Sequence, residues 1–421
     1  MRMRVVRLAC AVTAAALLCG ACGEGGRSGS ATDSGAPSSS AVPSGEVDIA
    51  ALDTGTYQKT PSRPFAAVTG DDIVPVEGQR MAEFTVVPFE IDSDATRTVL
   101  PTEIIRSRAN ISAVVGKEAA FVPANEKFLA GFVSAASTPT LRQTDPSRTV
   151  IEMVIRYADP ATATTAAQQM STAFARQAGA TRVTIPGAPD TVGVRVPGVR
   201  FQDKDPNTSL SAFTAHNDYV VYTWSSTPPA EEPRQVPAIQ KALALQVPLL
   251  DRFPKTPTRS QNGGRTPSAQ VDANRILIYA LPNPKADAVN GTDRAVYGPR
   301  GIAHISGSPD TVFRALTAAG AEHNAYWLTS VYRASTGTAA ERLRDTLVTS
   351  SLASGWTRAP SPRGLPIATC LTRDASSGSQ NSCVVVVGRY VGESNDESAT
   401  AAAQQISAQY LVLTQADQNA N

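Results

Sequence analysis

Residues 149–174 read TVIEMVIRYADPATATTAAQQMSTAF, and this stretch decides the fold class. Its first nine residues are rich in β-branched side chains, which predicts a strand. Asp159-Pro160 follows, a pair typical of a helix start, and Met170 and Phe174 recur at helical spacing. The stretch therefore predicts a strand that leads directly into a helix, which is closed by Gly179.

The same strand–helix order recurs along the chain. Strands are predicted at 219–224, 326–332 and 383–391, with helices after them at 233–250, around Ala340, Leu343 and Leu347 up to Gly355, and at 398–412. A further strand is predicted at Arg80–Ile91. These elements predict an α+β fold with two domains, each a mainly antiparallel sheet with helices packed on one face.

Some of these elements also have similar amino-acid sequences. TAAQQM at 165–170 resembles AAQQI at 402–406, and TAAERL at 338–343 is a looser relative. Arg156-Tyr157 and Arg389-Tyr390 stand at strand ends that look equivalent. Either the chain contains an internal duplication, or alanine-rich helices resemble each other through composition alone.

Composition bounds the protein class. The chain has 421 residues, of which 42% are hydrophobic, so it can build a core of about two domains. Its formal charge of +1 argues against binding nucleic acid through phosphate neutralisation. Breaker-rich segments predict the following division: signal peptide 1–21, anchor and tether 22–48, first domain 49–253, linker 254–270 and second domain 271–421.

The first residues, MRMRVVRLACAVTAAALLCGAC, indicate export. Three arginines precede the apolar stretch Leu8–Ala21, which is too short to span a bilayer but suits a signal peptide. Gly20-Ala21-Cys22 resembles the lipobox of bacterial lipoproteins, although Cys19 stands where that family usually has Leu, Val or Ile. The resemblance implies that Cys22 carries a lipid (diacylglyceryl, with palmitate as a typical acyl chain) and holds the protein at the outer face of the cell membrane. Simple cleavage after Ala21 is the alternative.

Loss of residues 1–21 changes the charge and the cysteine count. Lys and Arg fall from 38 to 35 against 37 acidic residues, so the net charge becomes −2. If Cys22 carries lipid, Cys370 and Cys383 remain as an even pair in an oxidising compartment, which predicts a disulfide. The flanking runs 367–371 and 382–387 are predicted to be the strands of a hairpin.

Motifs that could carry catalysis are sparse. Asp53-Thr54-Gly55 has the wording of an aspartic protease, but that chemistry needs two carboxylates, and Asp33-Ser34-Gly35 lies in the predicted tether. We therefore interpret Asp53-Thr54-Gly55 as a turn. His216, His304 and His323 lack metal-ligand spacing, and the sequence holds no Walker A, GxGxxG or GxSxG motif. No catalytic residue, cofactor or metal ligand is predicted, and we expect a protein that is not an enzyme.

Two aromatic groups could mark a binding surface. They are Tyr219, Tyr222 and Trp224, and Tyr326, Trp327 and Tyr332. Alternate residues of a strand point to opposite faces. The aromatic residues on one face are therefore expected in the core, while those on the other face could line a groove for sugar or lipid. Arg156 and Arg389 are expected to pair with carboxylates at the sheet edge, with anion binding as the alternative.

Several short stretches carry a family resemblance. They are LDTGTY at 52–57, PSRP at 61–64, EGQRM at 77–81, IRY at 155–157 and VGRY at 387–390. They resemble a family of cell-envelope lipoproteins of unknown function from mycolate-containing actinobacteria. The resemblance implies a signal peptide, a lipid anchor and two α+β domains, and it brings no catalytic residues. We expect a non-catalytic binding or interaction module whose partner is an envelope lipid, glycan or protein. An envelope hydrolase with an unrecognised acid/base pair and a lipid or glycan carrier are the alternatives.

Overall fold

The structure, a computed structural model, describes residues 45–141, 145–199, 206–283, 292, 294–375 and 378–420. The strands and helices of the first half are β1 (Val68–Thr69), α1 (Ile73–Ala82), α2 (Pro88–Ile91), β2 (Arg97–Ile105), α3 (Arg108–Val115), α4 (Lys117–Ala120), β3 (Phe128–Ser137), β4 (Thr149–Tyr157), α5 (Pro160–Phe174), β5 (Thr181–Val183), β6 (Thr191–Val199), β7 (Asn207–His216), β8 (Tyr219–Thr227) and α6 (Gln235–Arg252).

The second half follows the same plan. Its elements are β9 (Ser268–Ala269), β10 (Ala295–Tyr297), α7 (Pro299–Ile305), α8 (Pro309–Ala318), β11 (Asn324–Tyr326), β12 (Thr329–Arg333), α9 (Gly337–Ala353), β13 (Thr357–Ala359), β14 (Thr369–Ala375), β15 (Gly378–Val387), β16 (Tyr390–Asp396) and α10 (Ala399–Leu413). Short 3₁₀ helices lie at Ile49–Ala51, Gly70–Asp72, Pro123–Lys127, Pro229–Arg234 and Leu277–Tyr279.

Each half contains one seven-stranded antiparallel sheet, and the two sheets have the same strand order. The first is ordered β2-β3-β4-β8-β7-β6-β5 and the second β10-β11-β12-β16-β15-β14-β13. In both, two helices separate the first two strands, a long helix follows the third strand, and another follows the last. The α+β fold with two antiparallel sheets is confirmed, and the duplication extends over a complete half of the chain.

Strand pairing shows which residues are equivalent. Arg156 lies opposite Tyr219 in the first sheet, as Arg333 lies opposite Tyr390 in the second. Arg156 therefore corresponds to Arg333, and the equivalence with Arg389 expected from wording is wrong. The similar sequences of α5 and α10 likewise belong to helices that are not equivalent. The helix that corresponds to α5 is α9, whose sequence resembles it less closely.

Helices were expected on one face of each sheet, but they cover both faces. In the first half, α5 packs on the face that carries Met153 and Tyr222, whereas α1 and α6 pack on the face that carries Val154 and Val221. In the second half, α9 and α10 take opposite faces in the same way. The cluster on the α6 face continues into the second half through residues of β10, α7, α8 and α9, so one apolar core joins the two sheets.

The predicted strand at Arg80–Ile91 is wrong. Residues up to Ala82 are the end of α1, and Pro88 opens α2, where its missing N–H costs no hydrogen bond. A short apolar run does not distinguish a buried helix from a strand. Gly78 explains the close packing of α1: a Cβ there would lie 2.9 Å from the carbonyl oxygen of Gly131 in β3.

Two predicted single strands are hairpins. The run 326–332 turns at Trp327-Leu328 between β11 and β12, and the run 383–391 turns at Gly388-Arg389 between β15 and β16. Gly388 has a φ of 57°, a left-handed conformation that suits glycine and tightens the turn. Apolar residues continue through the Trp327-Leu328 turn, so hydropathy alone gave no sign of it, whereas the second turn is marked only by Gly388-Arg389 within an otherwise apolar run.

Two connecting segments pack against the folded body. Residues near the amino end contact the second half, where the Asp48 N–H donates to the Gly364 carbonyl and Gln404 donates to Asp53. Within the predicted linker 254–270, Thr256 is buried, and β9 pairs with β1. The division into two domains with a linker stays a prediction.

Candidate binding clefts

Arg156 lies in a buried polar network on the α1 side of the first sheet. Its Nη1 is 2.7 Å from Glu77 Oε1, and its Nε is 3.3 Å from Asp218 Oδ2. Lys255 contacts the other oxygen of Asp218, and the Thr256 N–H and hydroxyl both donate to Glu77. The network therefore joins β4, α1, the β7–β8 turn and the segment after α6. Arg156 pairs with carboxylates as expected, but in the interior and not at a sheet edge.

Arg389 makes a different set of contacts. Its Nε donates to the Ala334 carbonyl at 2.7 Å and its Nη1 to the Ala420 carbonyl at 3.0 Å. It holds the carboxyl-terminal residues beside the β15–β16 turn. The expected carboxylate pair is thus replaced by main-chain acceptors.

A second buried polar cluster joins the two halves. Arg300 of α7 makes a bidentate pair with Glu90 of α2, and Glu83 accepts the Gly301 N–H at 2.8 Å. Burial raises the pKa of Glu83 to about 7, and the Gly301 hydrogen bond and the Arg300 charge offset part of that effect. The cluster fixes α7 against the end of α1.

The three histidines lie in different places. His216 is 2.7 Å from Asp251, near the surface. His304 is buried beside Phe132 and contacts the Thr85 carbonyl, and burial lowers its pKa to about 4. Burial also lowers the pKa of His323. Within the described ranges, His, Cys, Asp and Glu side chains form no group of three or more that could hold a metal ion.

Asp53-Thr54-Gly55 forms a turn in which Asp53 and Gly55 are exposed and Thr54 is buried. Asp53 Oδ1 accepts the Gly55 N–H at 2.9 Å, and Oδ2 accepts Gln404 Nε2 of α10 at 2.8 Å. The Gln404 hydrogen bond, followed by that of Gly55, lowers the pKa of Asp53. Asp33, its only candidate partner by wording, lies outside the described residues. The carboxyl group of Asp53 anchors the amino-terminal segment to α10.

The predicted disulfide is present. Cys370 of β14 and Cys383 of β15 lie directly opposite each other in the ladder and are bonded. The hairpin predicted around them is confirmed. Cys22, the predicted lipidation site, lies outside the described residues. Among the described helices, none combines the length and apolar character that crossing a bilayer requires.

The first cleft lies on the α5 face of the first sheet and has a volume of about 590 Å³. Its floor is formed by Tyr222 and Trp224 of β8 with Ile151 of β4. The carboxyl end of α5 forms one wall, through Phe174, and the α3–α4 junction forms another. This volume is within the range of small-molecule sites, which are mostly apolar with a few polar groups.

The chemistry of this first cleft is apolar inside and polar at its rim. Trp224 is 7% exposed, and Phe174 packs on Phe213, with ring centroids 5.5 Å apart. The Tyr222 hydroxyl is 3.1 Å from Ser211 Oγ, and burial raises the pKa of that phenol. Glu118, Arg176 and Gln177 also line the cleft and are exposed. The cleft can therefore hold an apolar group and leave a polar one at the mouth.

The second cleft, of about 350 Å³, occupies the corresponding place in the second half. It lies on the α9 face of the second sheet, between the carboxyl end of α9 and the α7–α8 junction. Its lining includes Tyr326, Tyr332 and Trp356. One aromatic group of the sequence thus contributes Tyr222 and Trp224 to the first cleft, and the other contributes Tyr326 and Tyr332 to the second.

At equivalent positions, the first cleft has apolar or aromatic residues and the second has polar or charged ones. Counted from the corresponding hairpin turns, Tyr222 and Trp224 match Glu393 and Asn395. Val196, opposite Ser209, matches Arg373, opposite Gln380. Counted from the N-caps Asp159 and Thr336, Ala173 and Phe174 match Ser350 and Ser351. The backbone arrangement of the cleft is repeated in the second half, but the lining side chains differ.

Sequence reasoning singled out Tyr222, Trp224, Tyr326 and Tyr332 but missed Trp356, Arg373 and Glu393. Arg373 lies 4.9 Å over the Trp356 ring and donates to Gln380, and Glu393 accepts the Tyr332 hydroxyl at 2.8 Å. Glu393 lies between the buried residues Gly392 and Ser394, whereas Arg373 lies between half-buried Thr372 and exposed Asp374. Only the strand pairing brings them to the same cleft.

Comparison with known proteins identifies the family. Residues 64–263 match the N-terminal part of a domain of unknown function, DUF7373, and residues 274–416 match its C-terminal part. The chain matches no curated protein sequence. Among solved structures, the extracellular domain of PknH from Mycobacterium tuberculosis is similar, with 13% identity and a TM-score of 0.31, over 45% of this chain and 99% of that one. Because the two domain matches together extend over most of the chain, the protein belongs to the DUF7373 family.

Proposed function

We propose that the protein is a non-catalytic binding module of the bacterial cell envelope, and that its first cleft binds the apolar part of an envelope molecule. The observation that carries this proposal is the lining of the cleft: Phe174, Tyr222 and Trp224 face a space of about 590 Å³. Removing a ligand's hydrocarbon from water at such a surface contributes about 0.8 kcal/mol for each buried CH₂ group. An acyl chain or another elongated hydrocarbon fits this chemistry.

The envelope location is part of the same proposal. The signal-like first residues, the tether after Cys22 and the disulfide between Cys370 and Cys383 all support an extracytoplasmic protein. Lipid on Cys22 would hold the folded body beside the membrane, where an apolar ligand is available. From its Gly/Ser/Pro-rich composition, the predicted tether has an expected reach of about 25–30 Å.

The binding test uses cis-parinaric acid as an apolar probe. We expect the purified protein to bind it and Trp224→Ala to weaken binding about thirtyfold, since a buried aromatic at the centre of a site contributes about 2 kcal/mol or more. The fluorescence of the probe is excited directly, so that the loss of an indole donor does not itself change the signal.

Trp327→Ala is the matched control. Trp327 packs on Phe65 with ring centroids 6.1 Å apart and lines neither cleft, so this variant should bind the probe like the wild type. Thermal unfolding of each variant checks that it is folded. Equal probe affinity of the wild type and Trp224→Ala would contradict the proposed site.

The anchor is tested separately. Cys22→Ala should move the protein from the membrane fraction to the soluble exported fraction, because one thiol carries the whole attachment. Cys370→Ala has no such effect if the anchor is specific. A Cys22→Ala protein that stays with the membrane contradicts lipidation at this residue.

A further inference from the structure

We propose that the second cleft is a separate binding site, and that it takes an uncharged, hydroxyl-rich ligand of the sugar class. This inference does not depend on the apolar ligand of the first cleft. It starts from the cleft of about 350 Å³ that Arg373, Glu393, Asn395 and Trp356 line.

The charges in this cleft favour a neutral ligand. Arg373 contributes a positive charge and Glu393 a negative one to the same lining. An anion drawn to the guanidinium meets the carboxylate, and a cation drawn to the carboxylate meets the guanidinium. A neutral ligand with both donors and acceptors can use both groups without repulsion.

The hydrogen-bonding groups match hydroxyls. In the described part of the chain, no atom accepts a hydrogen bond from Arg373 Nε, although this nitrogen is buried. Glu393 receives the Tyr332 hydroxyl and Asn395 Nδ2, and a carboxylate has capacity for further donors. Ser351 Oγ donates to the Leu347 carbonyl, which leaves its oxygen as an acceptor. A sugar hydroxyl, which both donates and accepts, can pair with the Glu393 carboxylate and with the Ser351 oxygen.

Part of the remaining lining is apolar. Ile302, Ile305, Val312 and Leu347 face the cleft from the helices, and Trp356 adds an aromatic ring. A sugar ring has C–H faces as well as hydroxyl edges, so it can place one surface against this wall and the other toward Arg373 and Glu393. A small inorganic ion has no such apolar surface.

Comparison with the first cleft shows that these polar lining residues are specific to the second cleft. Both clefts have the same backbone frame, yet Glu393 and Asn395 stand where the first has Tyr222 and Trp224. Exposure does not account for Glu393, which is half-buried and hydrogen-bonded. The second cleft is therefore expected to bind a different class of ligand from the first.

The test is a glycan array probed with the whole folded protein, followed by calorimetric titration of the neutral sugars that bind. The array holds neutral, acidic, phosphorylated and amino sugars. We expect neutral sugars to bind, and Asn395→Trp to weaken binding at least tenfold, because it introduces the bulky residue of the first cleft at an exposed position. Asn419→Trp, exposed and outside both linings, is the matched control and should bind like the wild type.

Arg373→Met gives a second measurement. It keeps much of the stem over Trp356 and removes the charged donor, so neutral-sugar affinity should fall by about tenfold or more. The proposal is overturned if no neutral sugar binds, if charged sugars bind and neutral ones do not, or if Asn395→Trp binds normally. Because these readouts do not involve Trp224 or cis-parinaric acid, failure here leaves the first cleft's test unaffected.

Discussion

Glu152 is a carboxyl group buried in the middle of the first sheet, and replacing it with Gln should change how stability depends on pH. It lies on β4, with 0% of its surface exposed, and Thr223 Oγ1 donates to its Oε2 at 2.7 Å. Among the described residues, its Oε1 has no hydrogen-bond partner. Desolvation raises the pKa of Glu152 to about 8, and the Thr223 hydrogen bond offsets only part of this.

The sign of the effect follows from proton binding. The folded protein keeps the Glu152 proton up to about pH 8, whereas the unfolded chain releases it near pH 4.5. Between these values the folded state binds more protons, so its free energy of unfolding falls as pH rises. At about 1.36 kcal/mol per pH unit, the loss between pH 4.5 and 8 is about 4–5 kcal/mol.

Glu152→Gln removes this titration and keeps the shape of the side chain. Near pH 5 the variant should be less stable than the wild type by about 1–3 kcal/mol, because the new amide leaves buried N–H groups without partners. Near pH 9 it should be the more stable protein. The curves of unfolding free energy against pH should therefore cross.

Urea unfolding at unit pH steps from 5 to 9 measures both curves. The difference between variant and wild type isolates Glu152, because Glu83 and His304 titrate equally in the two proteins. Thr223→Val is a useful companion, since it removes a hydrogen bond that favours the charged form, raises the pKa of Glu152 further and should extend the loss of stability to higher pH. Parallel curves for Glu152→Gln and the wild type would refute the reasoning.

Arg156→Met should lower the free energy of unfolding by up to about 3–5 kcal/mol in urea titrations, because Glu77 and Asp218 each lose one of their cationic partners; an unchanged midpoint would contradict the network. Replacing both Cys370 and Cys383 with Ala should lower stability by about 3 kcal/mol, the chain-entropy value for the loop of 13 residues that they close, and calorimetry with and without reductant checks this. His304 should contribute less to stability as pH drops from 6.5 to about 4, because unfolding lets it take up a proton that burial denies it. Since Glu83 and Glu152 act in the opposite direction, the measurement is the difference in unfolding free energy between His304→Gln and the wild type, which should shift in favour of the variant toward pH 4.

Local sequence patterns predicted the elements whose signals are local. The strand at 149–157 and the helix that Asp159 caps are as expected, because β-branched residues, the cap and the apolar spacing all lie within a few turns of chain. The hairpin around the Cys370–Cys383 disulfide was predictable for the same reason. Where an apolar run continued through a turn or belonged to a buried helix, as at 80–91, the local pattern was ambiguous.

The clefts were predictable only in part. Strand alternation indicated that Tyr222 and Trp224 share one face of their strand, but it did not decide whether that face belongs to the core or to a groove. Arg373 and Glu393 lie on strands that are separate in sequence, and nothing near either residue indicates the other. Similar wording even joined α5 to α10, because alanine-rich helices resemble each other whatever their place in the fold.

The sequence by itself determined the alternation of strands and helices, the disulfide and the signs of export, because each depends on neighbouring residues or on composition. The tertiary structure alone decided that the chain is a duplicated sheet and that each copy holds a cleft. It also decided that Tyr222, Trp224 and Val196 correspond to Glu393, Asn395 and Arg373. Pairing register sets these relations, and register is a long-range property that places residues far apart in the chain on one surface.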